Sequence, residues 1–225
     1  MSMGQHQNQS GIGREIDLRT EQLLAVNLAK PDDRPIFETF FALDNRLAEI
    51  STRTSEPMFA QMRLAWWRDS FAGGDKAEAK DPLQQTLREC YGTRLMEFTS
   101  LVNGWEALLV GDSADAERVE EFVRGYADSF GLIADLTGLG AFGRQARRAG
   151  ELWALSHAAR SEVRDAALAR VRDGSELRSP FLPKRLRPLA MLGVLSARAL
   201  RKGGVDLIGD RLSPLVALRI GLIGR

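Results

Sequence analysis

Cysteine is nearly absent. Cys90 is the only thiol in 225 residues, so no intrachain disulfide and no multi-cysteine zinc site can form. Histidine is as scarce. His6 and His157 are the whole supply, too few for the three or four protein ligands that zinc takes. Long apolar runs are missing as well. Leu189 to Ala197 stops at Arg198, short of the roughly 18 residues a spanning helix needs. The first residues, MSMGQHQNQSG, carry no apolar segment of the secretory type. These absences fit a cytoplasmic setting, with peripheral contact at a membrane left open.

Residues 1–13 are polar and glycine-containing and read as a disordered lead, which leaves 14–225 as one domain. Hydrophobic residues make up 44% and charged residues 27%, which excludes wholesale disorder for that domain. Net charge is only +1, but it is unevenly spread. Residues 1–143 hold 14 Lys and Arg against 23 Asp and Glu, whereas residues 144–225 hold 17 against 7. Such halves either pack together and neutralise each other or present a basic surface to phosphates, anionic lipid or nucleic acid.

The hydrophobic pattern is helical nearly throughout. A first helix is expected over about 17–30, with Leu18, Leu23, Leu24 and Leu28 on one side. Asp33 and Pro35 signal the start of a second, over about 34–53. Here Ile36, Phe40, Leu43, Leu47 and Ile50 recur at helical spacing, and Phe37, Phe41, Asp44 and Ala48 line the adjacent stripe. A third runs from Pro57 to Phe71, its apolar face assigned to Met58, Phe59, Met62 and Trp66, with Gly73-Gly74 as its stop. Asp81-Pro82 opens a fourth, Thr93 caps a fifth, and Asp112 or Ser113 opens a sixth. The sixth runs to the glycine-rich bend 138–143, and a seventh covers about 144–159 with a continuation toward Arg172-Asp173-Gly174. A helix over about 184–202 ends at Gly203-Gly204, and an apolar segment follows from Leu207 to Ile223. No strand pair or fixed-period repeat is visible. The expectation is an all-α, single-domain bundle of about nine or ten helices.

Little of this supports familiar catalytic chemistry. His157 reads as a residue that caps or packs in a helix, and Cys90 as a small buried hydrophobe. Gly138, Gly140 and Gly143 spell G-x-G-x-x-G, but no strand precedes them and no βαβ context surrounds them. Lys184, Arg185, Arg187, Arg198, Arg201 and Lys202 gather late in the chain, without the aromatic platforms of single-strand nucleic-acid binders. Nucleic acid is therefore not the favoured partner. Residues 181–202 mix cations with Leu186, Leu189, Met191, Leu192 and Leu195. That composition suits a peripheral membrane or protein contact, and suits a core-facing helix as well.

One string carries a likeness. Phe41-Ala-Leu-Asp-Asn-Arg-Leu-Ala-Glu-Ile-Ser-Thr-Arg-Thr-Ser-Glu-Pro57 is followed by Met62-Arg-Leu-Ala-Trp-Trp-Arg-Asp69. This resembles the squalene/phytoene synthase family, in which an aromatic helix leads into an E-P…R-L-x-W-W-R-D helix. Arg147-Arg-Ala-Gly-Glu-Leu-Trp153 and Leu182-Pro-Lys-Arg-Leu-Arg-Pro-Leu189 are similar to the family's C-terminal part. The likeness covers roughly residues 17–202, and W-W-R-D is its most specific element.

The resemblance implies the isoprenoid-synthase fold and enzymes that join two prenyl diphosphates head to head. In them two Asp-rich motifs hold Mg²⁺ against the leaving diphosphate. Here the first motif falls on Ala48-Glu49-Ile50-Ser51-Thr52, where only Glu49 is acidic. The second falls on 154–165, where Arg160 and Asp165 match but Ala154, His157 and Ser161 replace the Gln, Asn and first Asp. Glu49 and Asp165 are thus candidate remnants of the metal motifs. Asp44, Asn45, Arg63, Trp67 and Arg160 are candidates for a pocket or phosphate-facing wall. Arg63 and Trp67, four apart on one helix, can also stack as a cation–π pair. No catalytic residue or metal ligand is assigned outright.

Two readings follow. The first is a catalytically degenerate member, near the branch that contains the mitochondrial complex I assembly factor. It would bind an isoprenoid-type lipid or act in assembly of a membrane complex. The alternative is an active transferase using Mg²⁺ and prenyl diphosphates.

Overall fold

A computed structural model describes residues 18–53, 56–72, 81–109, 113–171, 177–204 and 206–208. The expectations placed on residues 1–13, Gly73-Gly74, Asp112, Asp173-Gly174 and the segment after Ile208 lie outside these. Every regular element among the described residues is helical: α1 (Thr20–Leu28), α2 (Arg34–Arg53), α3 (Pro57–Ala72), α4 (Pro82–Tyr91), α5 (Thr99–Leu109), α6 (Asp115–Leu136), α7 (Gly143–Ala158), α8 (Arg164–Ala169) and α9 (Arg187–Arg201). Short 3₁₀ turns at Pro31–Asp33, Gly92–Phe98, Gly140–Phe142 and Lys184–Leu186 join them. The fold is all-α.

Helix α6 is the centre. It packs most extensively on α5 and α7, α7 packs on α9, and α9 packs on α1. Helix α2 closes the ring against α1, α3, α4 and α5. Glycines set how closely the central helices approach. A Cβ on Gly125 would lie 2.6 Å from the Ser100 carbonyl oxygen, and one on Gly150 would lie 2.5 Å from that of Tyr126. Backbone meets backbone at both crossings, so neither position tolerates a side chain.

The α2 periodicity is realised. Phe37, Phe40, Phe41, Leu43, Leu47 and Ile50 are all buried, and Ile36 and Ala48 are half-buried against the core. Phe40 sits 5.7 Å from Phe130 of α6 and 6.1 Å from Phe98, ring centre to ring centre. Removing such a ring costs about 3–5 kcal/mol, because the cavity left behind adds to the lost transfer energy. Asp81 caps α4 by accepting from the Leu83 amide at 2.8 Å, as its sequence position implies.

Several local expectations are overturned. On α3 the buried residues are Ala60, Leu64, Trp67 and Phe71, while Met58, Phe59, Met62 and Trp66 face outward. The helix is apolar on both sides, so periodicity cannot say which face goes in. On α1, Gln22, Ala25 and Val26 are buried and Leu23 is exposed. Asp33 ends the 3₁₀ turn before α2, where Arg185 donates to both its carboxylate oxygens at 2.6 Å. Thr93 lies inside the Gly92–Phe98 turn, so α5 starts at Thr99. The seventh helix stops at Ala158 and α8 is separate. The expected stop of α9 is found: Gly203 and Gly204, both at φ near +80°, terminate it by adopting the left-handed backbone that other residues resist.

Part of the uneven charge is met between the halves by three ion pairs, while Arg118 pairs the other way with Glu162. Asp33 pairs with Arg185, Glu120 with Arg170, and Asp128 with Arg147. No helix among the described residues is long and apolar enough to cross a membrane.

Candidate functional site

Four helices bring charged and aromatic groups to one place inside the bundle. Asp44 projects from the inner face of α2 and is fully buried. Arg19, the residue before α1, donates from Nη2 to Asp44 Oδ2 at 2.9 Å. The Tyr126 hydroxyl, from α6, donates to the other carboxylate oxygen. Arg19 Nη1 lies 2.7 Å from Nε2 of His157 in the last turn of α7. His157 Nδ1 lies 3.0 Å from the Trp153 carbonyl oxygen, one turn back. A carbonyl only accepts, so the proton belongs on Nδ1, and Nε2 is left with a lone pair for Arg19.

Aromatic rings wall the site. Arg19 lies 5.8 Å over the Trp153 ring. The rings of His157 and Tyr126 stack, with centres 6.1 Å apart and planes inclined by 19°. Trp105 of α5 packs edge-on against Phe122 at 5.0 Å and stands 6.5 Å from Tyr126. At the rim, Gln22 and Asn45 exchange two side-chain hydrogen bonds of 2.9 Å. Gln22 also accepts from the Arg19 amide at 2.9 Å, which closes the first turn of α1. Arg19 Nε is buried 3.7 Å from a Glu21 carboxylate oxygen, and the indole N–H of Trp153 is buried without a hydrogen-bond partner.

Burial dominates the electrostatics. It pushes the Asp44 carboxyl above the usual carboxylate range, against the opposing pull of Arg19 and the Tyr126 hydrogen bond. Burial and the adjacent Asp44 charge push the Tyr126 phenol well above its ordinary value. Burial, followed by the positive charges of Arg19 and Arg160, holds His157 well below the usual imidazole value. His157 is therefore neutral at pH 7 and serves as an acceptor.

The residues singled out from the sequence divide cleanly. Asp44 and Asn45 belong to this cluster. Arg160 stands just beyond α7, donating to the Ser156 carbonyl at 3.0 Å and toward Asp206 at 3.4 Å. Glu49 is on the surface of α2, paired with Arg53 at 2.6 Å. Asp165 is exposed in the first turn of α8. Trp67 is buried against Trp66 and Phe71, with ring centres at 5.3 and 5.9 Å. Arg63 is exposed, and the guanidinium found over a ring is that of Arg19 on Trp153. Of the expected candidates, then, only Asp44 and Asn45 come together. Arg19, Gln22, Trp105, Tyr126 and Trp153 were not among them, and His157 was read as a packing residue.

These groups do not fit a Mg²⁺ cage. Hard divalent ions need several free carboxylate oxygens, and both oxygens of Asp44 are engaged. Among the described residues no group of three or more His, Cys, Asp or Glu is placed to hold a metal ion. An open cleft of about 660 Å³ lies elsewhere, between the Gly92–Phe98 turn, α6 and α7. Gly140, Gly143 and Arg144 line it together with the ion-paired Asp128 and Asp135. On α9, Leu189, Met191, Leu192 and Leu195 are buried in the core. That leaves Phe181 as the exposed large apolar residue of the 181–202 region.

No family model, curated protein or solved structure matches the chain.

Proposed function

We propose that the chain is a squalene/phytoene-synthase-like protein of the isoprenoid-synthase type, catalytically degenerate, that acts by binding. The observation that carries this reading is the state of Asp44. It is the one buried carboxylate on the helix where the resemblance sets the first metal motif, and its counter-ion is the chain's own Arg19. Glu49 and Asp165, the remnants of the two motifs, are spent on the surface. Among the described residues a diphosphate leaving group meets no bare carboxylate–metal platform.

Of the two binding roles, assembly with a membrane complex is favoured over enclosing an isoprenoid-type lipid. Phe40, Phe122, Tyr126, Phe130 and Trp153 fill the space between the central helices. Meanwhile Met58, Phe59, Met62 and Trp66 leave α3 with an apolar outer side. Composition of this sort belongs to protein contacts, where Met and aromatic residues are enriched.

A thermal-unfolding series with Mg²⁺ and farnesyl diphosphate, together and separately, tests the reading. A ligand bound only by the folded state must raise Tm. The expected result is no rise. A rise that needs both components would restore the transferase reading.

A further inference from the structure

We infer that the Asp44 cluster is a guanidinium-binding site, filled in this chain by Arg19 as a displaceable internal ligand. The inference is independent of any enzymatic past.

Besides a looser ion pair from Arg19 Nε to Glu21 at 3.7 Å, three contacts define the head group. Two acceptors, Asp44 Oδ2 at 2.9 Å and His157 Nε2 at 2.7 Å, take N–H groups from the two terminal nitrogens of one planar fork. The Trp153 ring lies against the same group at 5.8 Å. An ammonium is a point charge and cannot reproduce this pattern. A guanidinium offers two divergent terminal nitrogens and a flat face at once. His157 is locked for this task, because its other nitrogen is committed to the Trp153 carbonyl.

The site requires a cation. Asp44 is fully buried, and Tyr126 alone leaves its charge without a counter-ion. Removing one partner of a buried pair strands the other, which is the expensive event. Whatever displaces Arg19 must therefore replace its charge and its shape.

Arg19 is the part that can leave. Its side chain is 35% exposed, whereas Asp44 is fully buried. It heads a helix of nine residues, shorter than the roughly 12–15 that hold in water unaided. Within α1 only Gln22, Ala25 and Val26 are buried. Leu24 and Leu28 are half-buried against the core and hold the body of the helix, whereas its first turn is held by polar contacts: Arg19 to Asp44 and His157, and Gln22 to Asn45. An external guanidinium would take the place of the first of these contacts and free the start of α1.

The test uses the full chain with Arg19→Ala. Millimolar ethylguanidinium is added as the probe, with sodium chloride and urea as charge and shape controls. The expected result is a rise in Tm of roughly 2–5 °C for Arg19→Ala, set by mass action, and a smaller rise for the wild-type chain, in which the probe must first displace Arg19. Arg19→Ala/Asp44→Asn should not respond. If Arg19→Ala does not fold alone, refolding in ethylguanidinium should recover a cooperative transition that neither control restores. A blocked arginine amide, tested alongside, separates sources: a response to both probes points to an arginine presented by a peptide, and a response to ethylguanidinium alone to a small guanidine. Equal responses of Arg19→Ala and the double variant, or no response beyond the controls, would overturn the inference.

Discussion

Arg19 and Asp44 stand 25 residues apart in sequence and form an ion pair of 2.9 Å. The acid is fully buried and the base is 35% exposed. The pair ties the beginning of α1 to the middle of α2, and through His157 to the end of α7.

The pair sets a first prediction. Asp44→Ala should destabilise the chain by about 3–5 kcal/mol, since it leaves a partly buried guanidinium with only the looser pair to Glu21 at 3.7 Å. Tyr126→Phe, which removes one donor from Asp44, should cost about 1–2 kcal/mol. Urea unfolding measures both. The account expects the two effects to be non-additive in a double-mutant cycle, because the groups share one carboxylate.

His157 gives a pH prediction. Its folded-state value lies well below the ordinary 6.5. The unfolded chain therefore takes up a proton that the folded chain refuses, and stability falls as pH drops from about 6.5. Asp44 works in the opposite direction at lower pH, because its folded-state value is raised from 3.8. Tm should decline between about pH 7 and pH 5, and His157→Gln should flatten that decline. Parallel profiles for the two proteins would contradict the placement of the imidazole.

Glycine substitutions test the helix crossings. Gly125→Ala and Gly150→Ala each force a Cβ to within 2.6 Å of a carbonyl oxygen on the facing helix. Each should cost about 1–3 kcal/mol or more. At Gly143 a Cβ meets nothing within 4 Å and φ is −55°. Gly143→Ala should therefore be neutral or stabilise by up to about 1 kcal/mol. Thermal unfolding of the three variants separates these cases.

The outer side of α3 should be energetically idle in the isolated chain. Met62 is 62% exposed and Phe59 is 50% exposed. Met62→Gln and Phe59→Gln should leave stability within about 0.5 kcal/mol of the parent. Leu64→Ala, on the buried side, should cost about 2–5 kcal/mol. A large loss at Met62 would mean that this side is packed against the chain itself.

The sequence made the helices readable, and of the cluster Asp44 and Asn45. Asp44 shares a stripe with Phe37 and Phe41, which marks it as a carboxylate turned inward. Arg19 gave no such sign, because its partners lie 25 and 138 residues away and no local spacing encodes them. Tyr126 and Trp153 looked like ordinary core positions. His157 could be placed in a helix, but its role depends on which two neighbours flank its ring. The face of α3 was misassigned because Met58, Phe59, Met62 and Trp66 are as apolar as the residues that are buried. Only packing against α2 and α5 decides between the two sides.

Diphosphate release tests the central claim most directly. Purified protein would be incubated with Mg²⁺ and farnesyl or geranylgeranyl diphosphate, with and without NADPH, and the extracted lipids analysed. The account predicts no release above the protein-free control, and no difference among the wild-type chain, Glu49→Ala and Asp165→Ala. Turnover that both substitutions abolish would contradict it and make the chain an enzyme.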